Sequence, residues 1–155
     1  MREFIQNMID AGLADVISRP VSSNLEAAQL AFSTDKMLVL EDLEGHKAVM
    51  NTVTDRKSLA VALGIPEGEL VKRLAACTFS GETVDGGALE FEAADLSRIP
   101  ILKHFPKDAG RYLTTGIVYS TFGGVENASI HRLLVKDDTH LVGRIVEGRH
   151  TYKLL

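Results

Sequence analysis

The run Asn127-Ala128-Ser129-Ile130-His131-Arg132, followed by His150 in Glu147-Gly148-Arg149-His150, gathers an amide oxygen, a hydroxyl, a guanidinium and an imidazole on two neighbouring β-type segments. Such a set suits a divalent metal held beside a phosphate. Amide oxygen and imidazole are acceptable ligands for Mn²⁺ or Mg²⁺, and a guanidinium pairs with phosphate or carboxylate oxygens. Two protein ligands rarely complete a metal site, and a carboxylate is normally added. The chain carries no HExxH, CxxC or EF-hand spacing, so spacing alone does not establish a self-sufficient site. Taken singly, His46, His104, His131, His140 and His150 each read as surface or hydrogen-bonded histidines.

Arg132 shares its run with Ile130, Leu133 and Leu134. A guanidinium buried among them would need an anion, either a bound phosphate or carboxylate or a structural ion pair. Strand alternation places Asn127 and Ser129 on the face opposite Arg132. The two sets meet at one ligand only if the strand twists, bulges or presents its end. Gly123-Gly124 reads as a hairpin turn, because no phosphate-loop pattern surrounds it. Lys103 and His104, before Phe105-Pro106, suit either a substrate carboxylate or a solvated loop.

The elements that position these residues must come from 155 residues that are 45% hydrophobic and 25% charged, enough to bury one core or two small ones. A formal net charge of -4 argues against a nucleic-acid or anionic-membrane surface, which needs clustered Lys and Arg. The single Cys77 cannot form an intrachain disulfide and reads as a small buried hydrophobe beside Phe79. Arg2, Glu3, Asp10 and Asp15 interrupt the apolar positions of the first residues, so neither a signal peptide nor a membrane span is expected, and the compartment expected is the cytoplasm.

Phe4, Ile5, Met8 and Ile9 recur at helical spacing before Gly12 and predict a helix over 2–11. Leu13–Ile17 reads as a strand. Ser23 and Glu26 form a capping-box pattern ahead of a second helix. Met37–Glu41 and Ala48–Thr52 read as paired strands. Thr54 or Asp55 caps a helix that Gly64 ends, and Pro66 opens the next, over Glu67–Ala76. From Thr83 the character changes, and Tyr112–Thr121, Ala128–Lys136 and His140–Val146 read as an antiparallel meander with Asp137-Asp138 as its second connection. The fold class expected is α+β, with an α/β lobe over 1–98 and the strand-rich part over 99–155. A three-stranded meander leaves open edges. The expectation is that another chain completes it or that the sequence is part of a longer protein, since Tyr152-Lys153-Leu154-Leu155 reads as the start of an element.

Together with Pro100-Ile101-Leu102-Lys103-His104 and Gly110-Arg111-Tyr112, the runs Asn127-x-Ser129-Ile130-x-Arg132 and Arg149-His150 make the chain resemble the amino-terminal portion of the UbiD family of decarboxylases, which use prenylated FMN. The resemblance is weak in the first lobe and more specific from Pro100 to His150. It implies that residues 99–155 begin a split β-barrel of FMN-binding type, incomplete in this chain. Asn127 and His150 would ligate Mn²⁺ (or Mg²⁺) at the cofactor phosphate, with K⁺ as a further ion. Thr114, Ser129, Ile130, Arg132, Arg149 and His150 would lie against the cofactor, and Arg132 would be the catalytic residue facing the substrate carboxylate. The family's third ligand and its catalytic glutamates would lie beyond Leu155, so the chain alone is expected to be inactive. The resemblance further implies a small α,β-unsaturated or hydroxyaromatic acid as substrate, the remaining UbiD domains in cis or as a separate chain, and a homo-oligomer. Anhydromevalonate phosphate and polyprenyl hydroxybenzoate are both open as substrates. The alternative is a non-catalytic flavin-binding or assembly module.

Overall fold

The apolar stripe of Phe4, Ile5, Met8 and Ile9 folds as α1 (Arg2–Asp10), which buries Met8 completely and packs on β1 (Ala14–Val21) and α3 (Arg56–Leu63). The computed structural model describes residues 1–78, 81, 86–87, 90 and 93–154; Phe79, Thr83 and Leu155, named above, lie outside the described residues. The chain divides into two units, Met1–Val21 with Leu30–Ala93, and Ser22–Gln29 with Ala94–Leu155. The helix α2 (Glu26–Phe32) contributes residues to each.

In the first unit β2 (Met37–Leu43) is the central strand, parallel to β1 and antiparallel to β3 (His46–Met50). Its near-continuous apolar run buries Met37, Leu38, Leu40 and Leu43, as a strand flanked on both sides requires. Pro20 sits on the edge strand β1, where the register shifts between Ile17 and Pro20 and a missing N–H costs no ladder bond. Asp55 caps α3 by a reciprocal capping box with Ser58, and Gly64 ends the helix at φ +63°. The helix expected over Glu67–Ala76 opens as a 3₁₀ turn, Glu67–Glu69, before α4 (Leu70–Ala75). Gly68 in its first turn is a poor helix former. Cys77, expected to be buried, is exposed beyond α4, and its thiol donates to the Arg73 carbonyl at 3.3 Å.

The second unit is the antiparallel sheet β4 (Tyr112–Phe122), β5 (Val125–Val135) and β6 (Leu141–Gly143), with the short helix α5 (His150–Lys153) near its end. Gly123 and Gly124 both take positive φ, +57° and +79°, as a two-residue turn compatible with strand twist demands. Asp137 closes the β5–β6 connection by accepting from the Thr139 and His140 backbone N–H groups. β6 is shorter than the expected His140–Val146. A Cβ on Gly143 would stand 3.0 Å from a Leu133 methyl, so the strand approaches β5 closely at that point.

Backbone bonds fix the segment before β4. Leu25 donates to the Lys103 carbonyl and Lys103 to the Ser23 carbonyl, each at 3.0 Å, while Leu96 donates to the Asp138 carbonyl at 2.7 Å. Ala27, Ala28, Leu96 and Ile101 are the buried apolar residues there. The observed class is mixed α and β with two three-stranded sheets, and among the described residues the second is not closed into a barrel. No helix of the described residues is long and apolar enough to cross a membrane.

Candidate functional site

The site is organised by the two faces of β5. Asn127, Ser129, His131 and Leu133 are half-buried on one face, while Ala128, Ile130 and Arg132 on the other are exposed, Ile130 by 71%. A strand's period of two residues imposes this division. The register sets Ser120 opposite Asn127, Val118 opposite Ser129 and Gly116 opposite His131, so the first face continues across β4.

On that face the polar side chains form one connected cluster. The Asn127 Nδ2 donates to Ser129 Oγ and to Thr151 Oγ1, both at 3.2 Å. Ser129 Oγ lies 2.8 Å from His131 Nε2, and Thr151 Oγ1 lies 3.4 Å from both Ser129 Oγ and His131 Nε2. Thr151, the second residue of α5, is buried. Both amide bonds use Nδ2, which leaves Asn127 Oδ1 accepting no hydrogen bond among the described residues. Across the ladder, Ser120 Oγ is buried and has no partner either. Among the described residues both oxygens lack partners: the amide carbonyl is a ligand type that a hard divalent cation takes, and the hydroxyl can donate to a phosphate.

The other face borders a cavity of about 980 Å³ in the second unit, large enough for a cofactor-sized ligand. Thr114, Ile130 and Arg132 line it from β4 and β5, and Val142 and Arg144 from β6 and beyond. His104 and Phe105 line it from the preceding loop, held by a turn in which the Asp108 carboxylate accepts from the Phe105 N–H at 2.9 Å. Arg132 is exposed and makes no ion pair among the described residues. That leaves its guanidinium available to an anion in the cavity. Farther along the same face, the Tyr119 phenol is raised above its usual pKa by its hydrogen bond to Glu126.

Of the residues singled out by sequence, Thr114, Ile130 and Arg132 therefore share the cavity, and Asn127 and Ser129 share the polar cluster. Arg149 and His150 are exposed at the start of α5, next to Thr151. The two sets occupy opposite faces. Between them runs the edge of β5 that faces β6, and β6 pairs only with Leu133, Leu134 and Val135. Residues 125–132 thus have no strand partner on that side among the described residues. A ligand lying across that edge reaches both faces. Thr151, Arg144 and Ser120 were not anticipated. Ser120 alternates in register with Val118, a period-two signal visible in the sequence, whereas the role of Thr151 depends on where α5 folds back.

No group of three or more His, Cys, Asp or Glu side chains able to hold a metal is present among the described residues. Asn127 and His150 fit the first two positions of a ligand set in chemical type, and a carboxylate would have to complete it.

Two family models match the chain: the 3-octaprenyl-4-hydroxybenzoate carboxy-lyase N-terminal domain over residues 5–78 and the Rift-related domain of the same enzyme over residues 82–155. Anhydromevalonate phosphate decarboxylase from Methanosarcina mazei is 39% identical over 159 residues, covering 99% of this chain and 37% of the relative. Two solved structures of the UbiD-class enzyme HmfF from Pelotomaculum thermopropionicum each cover 99% of this chain. One, in complex with FMN, has a TM-score of 0.80 at 27% identity over 38% of that chain. The other, an evolved dimeric form in complex with prFMN, has a TM-score of 0.81 at 28% identity over 39% of that chain. The chain spans less than two fifths of the length of the curated relatives it matches.

Proposed function

We propose, since this chain belongs to the UbiD family of carboxy-lyases, that it acts as the amino-terminal part or small subunit of a decarboxylase that removes CO₂ from an α,β-unsaturated acid with prenylated FMN. Anhydromevalonate phosphate is the substrate to which the Methanosarcina relative points. The observation that carries the proposal is the cavity on the exposed face of β5, where Arg132 makes no ion pair among the described residues.

Prenylated FMN, when bound, supplies the electron sink for the pair left behind as the bond to the carboxylate breaks. The chain's own residues position and insulate. Arg132 presents a guanidinium that orients the substrate carboxylate by charge-assisted hydrogen bonds. Ile130, Leu134, Val142 and Val146 give the cavity an apolar wall, which would exclude water and strengthen that attraction once the cofactor and further domains cover it. CO₂ carries no charge, so the same guanidinium does not retain the product. Thr114, Ser129, Ile130, Arg149 and His150 would border the cofactor, and Asn127 Oδ1 and the His150 imidazole would hold Mn²⁺ at its phosphate, with K⁺ as the second ion. The third ligand and the glutamates that pair with Arg132 and return the proton would come from further UbiD domains, in cis or in a second chain. By itself the chain would be inactive.

The test is reconstitution. The chain is mixed with one carrying the remaining domains of a relative, together with prenylated FMN, Mn²⁺ and K⁺, and CO₂ release from anhydromevalonate phosphate is followed. The expected result is activity that Arg132→Ala removes; full activity of that variant overturns the assignment. A second reading is a non-catalytic flavin-binding or assembly module, which would use the same cavity without chemistry of its own. Saturable FMN binding with Mn²⁺, without turnover when every domain is present, would establish it.

A further inference from the structure

We infer that Thr151 is a positioning residue that sets the Asn127 side-chain amide so that its oxygen, not its nitrogen, faces a bound cation. The inference rests on the proposed reading of Asn127 as a metal ligand and adds a residue to it.

An asparagine amide presents two nearly isosteric ends, and only the oxygen ligates a cation. Which end faces the ion is decided by what holds the other. Here Nδ2 is held twice, by Ser129 Oγ and by Thr151 Oγ1 at 3.2 Å each. A hydroxyl donates as well as accepts, so it selects the nitrogen end only when its own proton is held elsewhere; His131 Nε2, 2.8 Å from Ser129 Oγ and 3.4 Å from Thr151 Oγ1, is the acceptor that holds it when the ring proton is on Nδ1. Ser129 belongs to Asn127's own strand and moves with it. Thr151 comes from α5, with its side chain buried to 9% exposure, and therefore ties the amide to a separate element.

Thr151 also follows His150 directly, so its hydroxyl joins the second proposed ligand's segment to the first ligand's side chain through one hydrogen bond. The His131 imidazole, 3.4 Å from Thr151 Oγ1 and 2.8 Å from Ser129 Oγ, closes the cluster. Each hydroxyl thus has a partner for its own proton or lone pair. Partners of this kind around a ligand contribute as much as 10–100-fold to metal affinity by fixing ligand orientation before the ion arrives.

The experiment uses the full chain mixed with a chain carrying the remaining domains of a relative, titrated with Mn²⁺ in the presence of FMN, with free Mn²⁺ counted from its electron paramagnetic resonance signal and broadening of the Asn127 side-chain amide followed by NMR. Native protein is expected to bind Mn²⁺ and to show that broadening, and Asn127→Ala is expected to bind it far more weakly. Thr151→Val, which keeps shape and removes the hydroxyl, should weaken Mn²⁺ binding about 10–100-fold, and Thr151→Ser should restore it. Native-like affinity in Thr151→Val, with Asn127→Ala impaired, overturns the role of Thr151 alone. No Mn²⁺ binding by the native chain, or an unaffected Asn127→Ala, overturns the ligand reading and this inference with it. If Thr151→Val unfolds, Thr151→Ala and Thr151→Ser decide: the inference requires a weakened affinity in the first and a near-native one in the second, and native-like affinity in both refutes it.

Discussion

Ser120→Ala is expected to stabilise the second unit. Ser120 stands opposite Asn127 in the β4–β5 ladder, and its Oγ is buried without a hydrogen-bond partner among the described residues. Taking a hydroxyl out of water without replacing its hydrogen bonds costs about 1–3 kcal/mol. Alanine keeps the Cβ and removes that penalty, at the loss of the dispersion contacts of one heavy atom, each worth about 0.1–0.2 kcal/mol. The net gain is on the order of 1 kcal/mol, roughly a fivefold shift of the folded-to-unfolded ratio. Urea titration, with amide signals of β4 and β5 reporting on this unit separately, should show a higher midpoint at unchanged slope. A variant destabilised by more than about 0.5 kcal/mol would refute the reasoning, since the hydroxyl would then be satisfied in solution.

Ser58→Ala should destabilise the first unit by about 1–3 kcal/mol, because the hydroxyl accepts from the Thr54 and Asp55 backbone N–H groups at 3.0 Å each and is 1% exposed; an unchanged urea midpoint would contradict this. Asp137 is lowered from the usual 3.8 to about 2, first by the Thr139 backbone N–H and then by the His140 side chain. A depressed folded pKa gives stability that is present above the ordinary value and lost as pH falls towards about 2. Carboxyl ¹³C shifts should place that titration, and Asp137→Asn should abolish the acid-side loss at the β5–β6 turn. Gly143→Ala should loosen β6, because the new methyl would meet Leu133 Cδ2 at 3.0 Å. Faster amide exchange at Leu134, which pairs with Val142, and at Lys136, whose N–H donates to the His140 carbonyl at 3.0 Å, is the expected reading, and unaltered exchange would show that Leu133 yields freely.

Local chemistry made much of the fold legible. The stripe ending at Ile9, the cap at Asp55 and the Gly123-Gly124 turn each specify conformation within a few residues, and each element formed where its own side chains direct it. What the sequence concealed is non-local. The joining of Ser23 and Leu25 to Lys103 is made by backbone groups alone, so no side-chain pattern announces that residues 22–29 belong to the second unit. The parallel pairing of β1 with β2 is likewise a property of the connection and not of either strand's composition. At the site, the period of two already divides Asn127 and Ser129 from Arg132. The bonds of Thr151 could not be read, because a threonine at the start of a four-residue helix has no distinguishing pattern until α5 brings it against β5.

The division of the site between two faces has a chemical use if a nucleotide lies across the open edge of β5. A divalent cation and a guanidinium both attract carboxylates, and on one face they would compete for the substrate. With Asn127 on one side of the strand and Arg132 on the other, the backbone separates the two centres while keeping them five positions apart along β5. A phosphate held by a cation on the polar face then leaves Arg132 free for the substrate. This arrangement makes the strand edge itself part of the site. Among the described residues, 125–132 have no strand partner on that side, so on this reading a strand added across 125–132 would hinder such a ligand, and strands that complete the barrel would pair elsewhere.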